Sequence, residues 1–226
     1  MADGKNETAL IIGAGNSALC NKTNQVSAIQ RSEAGAADYV PHLSLADIRL
    51  MVEVTSQQKR FGERNGLLIK TLYDGTLRCS EGIGARPCDI ARDSGGWAVS
   101  IMDKNGKSGK VAVSPSLAAE LHSYFYRLKI PETARIFPIS RSQCYRVVCD
   151  AFYHAGVRRP TRENDRVGAV HILRHSGAIE RLRQTGNPKA VQDQLRHKST
   201  QMTLRYLKTV SADESLRIQQ RVDFKW

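Results

Sequence analysis

The 226-residue chain reads His171-Ile172-Leu173-Arg174-His175, then Leu195-Arg196-His197-Lys198, then Leu204-Arg205-Tyr206 in its last quarter. Apolar residues at a near-helical period predict a helix from Val170 to Thr185, ended by Gly186. His171 and Arg174 are three residues apart, so they share one face of that helix. This stretch therefore offers imidazole, guanidinium and phenol groups that suit the binding of a phosphate.

The residues that follow the helix set the spacing of the last two groups. Asn187-Pro188 predicts an N-cap and a proline in the first helical position, opening a short helix that ends before His197. Ser199 predicts the cap of another helix, which carries Tyr206. Tyr206 then lies about two helical turns beyond His197.

This order of HxxR, LxH and a tyrosine nine residues on resembles the C-terminal signature of the tyrosine recombinases, the class of lambda integrase, Cre and the Xer proteins. The resemblance implies catalytic roles for His171, Arg174, His197 and Tyr206. It extends to Gly75-Thr76-Leu77-Arg78-Cys79-Ser80-Glu81, which is similar to the family's GLRxSE box with an extra threonine. Arg78 would be the first phosphate-binding arginine, supported by Glu81 one turn on. A solvated i,i+3 ion pair is the plainer interpretation of that pair.

A β-hairpin is predicted upstream of the helical end of the chain. Trp97, Val99 and Ile101 alternate with smaller or more polar residues, Asn105-Gly106 suits a type I′ turn, and the alternation resumes at Val111. In the family a lysine of this hairpin enters the active site. The resemblance favours Lys104, with Lys107 second and Lys110 a further competitor; a solvated lysine is the alternative for each.

Positive charge is concentrated around these motifs. Lys and Arg outnumber Asp and Glu by 34 to 22 overall, and by 15 to 5 between Arg135 and Lys208. Arg141 and Ser142 open a helix whose capping box is Ser140 and Gln143, and that helix end suits a DNA phosphate or an ordinary exposed surface. Arg196 stands where the family most often has glycine, and it is a further candidate DNA contact. Double-stranded DNA is the expected partner, bound more weakly at high salt.

The expected fold class is α+β and mainly helical, with a small antiparallel hairpin or sheet at one edge. Residues 1–40 are predicted to form a short N-terminal arm, and residues 41–226 the recombinase catalytic domain, including a C-terminal tail over 207–226. Family members usually carry an N-terminal helical domain that closes over the DNA, and an arm of this length is too short to fold as one. The tail is expected either to exchange between protomers or to fold back on its own domain.

The resemblance implies cleavage of one DNA strand by Tyr206, with a 3′-phosphotyrosyl intermediate and with neither metal nor ATP. No cofactor is expected. The resemblance also implies a protein tetramer on DNA at a specific recombination site, with an accessory DNA-bending or clamp protein as a possible partner. Two alternatives stand beside this interpretation: a topoisomerase that uses the same tyrosine chemistry, and a catalytically silent DNA-binding protein with a regulatory role.

Composition agrees with these expectations. Hydrophobic residues make up 41% and charged residues 25% of the chain, and no apolar run is typical of a membrane span or a secretory signal. The protein is therefore expected in the cytoplasm, associated with the nucleoid and without a membrane partner. The five cysteines contain no CxxC pair, which favours reduced thiols over a metal site or disulfides.

Overall fold

The structure is a computed structural model that describes residues 40–102, 108–160, 168–197, 199–210 and 212–221. It is mainly helical, with one small antiparallel sheet, as predicted. The helices are α1 Leu45–Ser56, α2 Gly62–Asp74, α3 Cys79–Gly84, α4 Pro115–Arg127, α5 Arg141–His154, α6 Ala169–Thr185, α7 Pro188–Leu195, α8 Thr200–Leu207 and α9 Ala212–Gln219. The strands are β1 Ile90–Asp93, β2 Gly96–Met102 and β3 Ser108–Val113.

Short polar side chains begin three of the helices where the sequence predicted. The Ser140 side chain accepts a hydrogen bond from the Gln143 N–H at 3.1 Å, and the Gln143 side chain accepts one from the Ser140 N–H at 2.8 Å. The Asn187 side chain accepts the Ala190 N–H at the start of α7, and the Ser199 side chain accepts the Gln201 N–H at the start of α8. Each cap satisfies backbone N–H groups that a helix leaves without partners, so the helix starts are local properties of the sequence.

The sheet has the order β1-β2-β3, with both pairs antiparallel. The predicted hairpin is confirmed over its two strands, where Val99 pairs with Val111 and Trp97 with Val113. Its turn, which includes Lys104 and Lys107, lies outside the described residues. Strand β1 was not predicted, because its four residues bury only Ile90 and show no alternation.

Helix α6 runs through the centre of the protein and connects two hydrophobic clusters. Its first half, with Ile172 and Leu173, belongs to the larger cluster formed with α1, α2, α4, α5 and the sheet. Its second half, with Ile179 and Leu182, belongs to a smaller cluster that also includes Tyr206. Gly177 lies at the contact with α2, where an added Cβ would stand 2.0 Å from the Tyr73 carbonyl oxygen. That close approach brings the end of α2 against α6.

The C-terminal segment folds back on its own domain over residues 212–221. The guanidinium of Arg183 on α6 pairs with Glu214 on α9 at 2.9 Å. The Arg221 guanidinium reaches the Gln184 carbonyl oxygen at 3.5 Å. Of the two arrangements that the sequence left open for the tail, this is the one within a single protomer.

No helix in the described ranges is long and apolar enough to cross a membrane.

Candidate active site

Arg174 is held by two backbone carbonyls in the middle of the protein. Its Nη1 donates to the Thr76 carbonyl oxygen at 2.5 Å and its Nη2 to the Leu195 carbonyl oxygen at 2.8 Å. The residue is 4% exposed. Burial, followed by the nearby Arg78 guanidinium, lowers the pKa of Arg174 to about 10, so it stays charged at neutral pH.

Both carbonyls belong to turns with left-handed backbone. Thr76 has a φ of 48°, and Arg196, which follows Leu195, has a φ of 53°. Residues other than glycine seldom adopt this conformation. The sequence identified Thr76 only as an insertion in the arginine box; the structure shows that its carbonyl fixes the second arginine.

Glu81 is shared by the arginines of the site. Its carboxylate accepts the Arg78 N–H at 2.7 Å and Arg78 Nη1 at 2.9 Å. Arg174 Nη1 lies 3.9 Å from the same carboxylate. Burial alone would raise the pKa of the Glu81 carboxyl, but the Arg78 N–H and the Arg196 guanidinium bring it below its usual value. Glu81 therefore remains an anion that is paired with the Arg78 guanidinium.

His197 and Tyr206 lie together at the ends of α7 and α8. Their rings are nearly parallel, with centroids 6.2 Å apart and an interplanar angle of 13°. Burial and the Arg174, Arg78 and Arg196 charges lower the pKa of His197 to about 4. The imidazole is therefore neutral at pH 7, and His197 Nδ1 lies 3.3 Å from the Thr203 hydroxyl.

Tyr206 is buried and hydrogen-bonded to His175, a histidine to which the sequence assigned no role. The residue is 3% exposed, and its hydroxyl is 2.8 Å from His175 Nδ1. Burial raises the pKa of Tyr206 to about 12 and lowers that of His175 to about 4, so a neutral phenol meets a neutral imidazole. His175 is four residues beyond His171, and this spacing was the available signal for a second histidine near the site.

His171 lines a cavity of about 440 Å³ between α3, α5 and α6. Arg141, Ser142 and Cys79 line the same cavity. Partial burial and the Arg174, Arg78 and Arg141 charges lower the pKa of His171. The cavity thus has a basic wall beside Arg78, which follows the concentration of charge seen in the sequence.

Residues 42–212 match the phage integrase family. The chain belongs to this family. It is 27% identical over 176 residues to the tyrosine recombinase XerC of Pelobacter propionicus, covering 73% of this chain and 54% of that protein. With XerD of Mycobacterium leprae it is 30% identical over 165 residues, covering 66% and 49%. The chain thus spans about half the length of these curated relatives.

Three solved structures share this fold. XerH bound to its difH substrate in a pre-cleavage complex superimposes with a TM-score of 0.61 at 21% identity, covering 75% of this chain and 50% of that chain. The XerA recombinase gives 0.61 at 22% identity, covering 82% and 67%. The catalytic domain of bacteriophage HP1 integrase gives 0.57 at 17% identity, covering 80% and 96%. The predicted fold class is confirmed.

Within this family fold, the predicted site residues are distributed as follows. Arg78, Glu81 and Arg174 converge, and His197 lies against Tyr206. Lys104 and Lys107 lie outside the described residues, whereas the Lys110 ammonium is 2.8 Å from Asp93. The Arg196 guanidinium, predicted to contact DNA, pairs with Glu81 at 2.9 Å.

Proposed function

We propose that this integrase-family protein breaks and rejoins DNA at a specific site, with Tyr206 as the nucleophile. The observation that carries the proposal is the convergence of Arg78 and Arg174 on Glu81, beside His197 and Tyr206. Two guanidinium groups match the two non-bridging oxygens of a phosphodiester in charge and geometry. In the proposed complex, Arg78 and Arg174 bind these oxygens and stabilise the charge that develops during attack.

In the proposed reaction, the Tyr206 oxygen forms a bond to phosphorus as the bond from phosphorus to the 5′ oxygen breaks. The phenol loses its proton to a neutral imidazole, for which His197 and His171 are the candidates. The leaving 5′ oxygen gains a proton from a lysine, Lys104 by preference and Lys107 as the alternative. The 3′-phosphotyrosyl bond conserves the energy of the broken ester, so religation reverses the steps with neither ATP nor metal.

Tyr206 must leave its buried position before it can attack. Its exposure of 3% and its bond to His175 keep the hydroxyl away from solvent. The proposed step is a shift of α8 that breaks this bond and brings the phenol towards Arg78 and Arg174. Interactions with bound DNA would supply the free energy for that shift.

Duplex DNA is the proposed substrate, bound along the basic face that carries Arg141 and Ser142. The difH complex of the related XerH supports this class of ligand. A homotetramer on DNA and an accessory clamp or bending protein are the proposed partners. Residues 41–226 are the proposed catalytic domain, and residues 1–40 an arm.

A covalent-trapping assay tests the proposed chemistry. The protein and a Tyr206→Phe variant are incubated without metal with nicked duplexes from the gene's flanking DNA, then separated on a denaturing gel. A slow-migrating protein–DNA adduct is expected for the tyrosine protein alone. If both proteins shift the duplex on a native gel and neither forms an adduct, the proposed activity is refuted and the silent DNA-binding alternative replaces it.

A further inference from the structure

Arg196 occupies an unfavourable backbone conformation at the end of α7. Its φ of 53° and ψ of 44° are left-handed, a region in which glycine is the usual residue. The backbone at this position is consistent with the glycine that the family most often has there. An arginine at this position therefore has a conformational cost, which the contacts of its side chain can offset.

The Arg196 side chain reaches across the site to Glu81. Its Nη2 lies 3.0 Å from Glu81 Oε1 and 2.9 Å from Glu81 Oε2. The guanidinium is largely enclosed, since the Arg196 side chain is 21% exposed and that of Glu81 only 7%. This is a charge-assisted contact within the protein, and the DNA contact of Arg196 stays a prediction.

Strand β3 leaves room for that side chain. A Cβ added at Gly109 would stand 3.1 Å from Arg196 Cδ, which is a tight contact. The aliphatic part of the Arg196 side chain therefore passes over β3, the second strand of the hairpin. One side chain thus contacts the sheet at one end and the arginine box at the other.

We propose that Arg196 is a positioning residue for Arg78: it fixes the Glu81 carboxylate, which in turn orients the Arg78 guanidinium towards the scissile phosphate. Glu81 holds Arg78 through both the backbone N–H and Nη1. With Arg196 absent, this carboxylate would be free to turn towards Arg174, which is now 3.9 Å away. The inference rests on the proposed strand cleavage and specifies how this chain prepares it.

The test compares cleavage with binding in Arg196→Gly, which removes the guanidinium and suits the left-handed backbone. Adduct formation at saturating DNA is expected to slow by about 10- to 100-fold, because misplacement of a catalytic group by about 1 Å has effects of this size. DNA affinity and its salt dependence should stay at the wild-type values. A phosphate contact would instead weaken binding and reduce the salt slope by about one.

Three further variants separate positioning from a general structural role. Arg196→Lys keeps the charge but loses the planar fork, so a partial recovery of rate is expected. Glu81→Gln with Arg196→Gly should be no slower than Glu81→Gln alone, since Arg196 acts through that carboxylate. Lys189→Ala removes an exposed cation from the same helix and should cleave as the wild type does. Thermal melting of each variant checks that the fold is retained.

The outcomes distinguish this inference from the proposed function. An adduct with wild-type protein and an equal rate for Arg196→Gly would overturn the positioning role alone. Additive losses in the double variant, or a parallel loss of binding and melting temperature, would also overturn it. If the wild-type protein forms no adduct, the proposed function fails and the positioning role fails with it.

Discussion

Arg174 and Tyr206 are both almost fully buried, yet they are held by different means. Arg174 is fixed by hydrogen bonds to the Thr76 and Leu195 carbonyls, with the Glu81 carboxylate 3.9 Å away, and these contacts offset the cost of burying its charge. Tyr206 is held by the six other buried residues of the smaller cluster and by one hydrogen bond to His175. In the proposed reaction, the phosphate-binding Arg174 is therefore already fixed in this structure, whereas Tyr206 has to leave its buried position to attack.

This difference has a physical basis in the helices on which Arg174 and Tyr206 lie. Arg174 lies on α6, the helix that both hydrophobic clusters share, and its carbonyl partners come from the α2–α3 turn and from α7. Tyr206 lies on the eight-residue α8 and belongs to the smaller cluster. Short elements with few buried contacts open at lower free-energy cost than the central core.

The largest expected effects on activity and stability come from removing the Arg174 side chain and, separately, the Tyr206 hydroxyl. Arg174→Ala should abolish adduct formation and lower the free energy of unfolding by about 2–5 kcal/mol, because two buried carbonyls lose their donor. Tyr206→Phe should abolish the adduct as fully but cost only about 0.5–1.5 kcal/mol, the value of one hydrogen bond. Urea denaturation followed by circular dichroism measures both. Equal losses of stability would contradict the comparison.

The two clusters can be compared with matched leucines. Leu72 on α2 belongs to the larger cluster and Leu195 on α7 to the smaller, and both are fully buried. We expect Leu72→Ala to cost about 3–5 kcal/mol and Leu195→Ala about 2–3 kcal/mol. In hydrogen exchange by mass spectrometry, Leu195→Ala should increase exchange mainly in α7 and α8. Exchange that rises uniformly along the chain would show that the smaller cluster is not a separate unit.

A smaller effect is expected from His175 as the pH falls. Its folded-state pKa of about 4 lies below the ordinary 6.5, so the unfolded chain binds the proton more readily between these values. Its contribution to stability is complete above pH 6.5 and is lost as the pH falls towards 4. The decrease in unfolding free energy between pH 7 and pH 5 should be about 1–2 kcal/mol smaller in His175→Gln than in the wild type.

The control for this measurement is His154→Gln, which changes an exposed histidine at the end of α5. Its denaturation curves should follow those of the wild type at each pH. If the two variants respond alike to acid, the bond between His175 and Tyr206 does not depend on a neutral imidazole. The tyrosine half of the site would then lack the acid sensitivity inferred from its burial.

The sequence by itself determined the starts of several helices, the end of α6 and the two hairpin strands, and it proposed most of the chemical groups of the candidate site. Caps such as Ser140 with Gln143 act within one helical turn, so the local sequence contains all the information that they need. The contact between Arg78 and Glu81 is equally local, at three residues apart. The resemblance to the tyrosine recombinases then indicated that these groups belong to one active site.

Tertiary structure alone decided which groups meet and which are hidden. Arg174 finds the Thr76 carbonyl 98 residues away, Arg196 finds Glu81 115 residues away, and His175 finds Tyr206 31 residues away. No local periodicity encodes these partners, because each depends on how separate helices pack. Burial keeps Tyr206 protonated and His197 neutral. It is likewise a property of the packed molecule, because the neighbouring residues in the sequence do not specify whether a tyrosine or a histidine is buried.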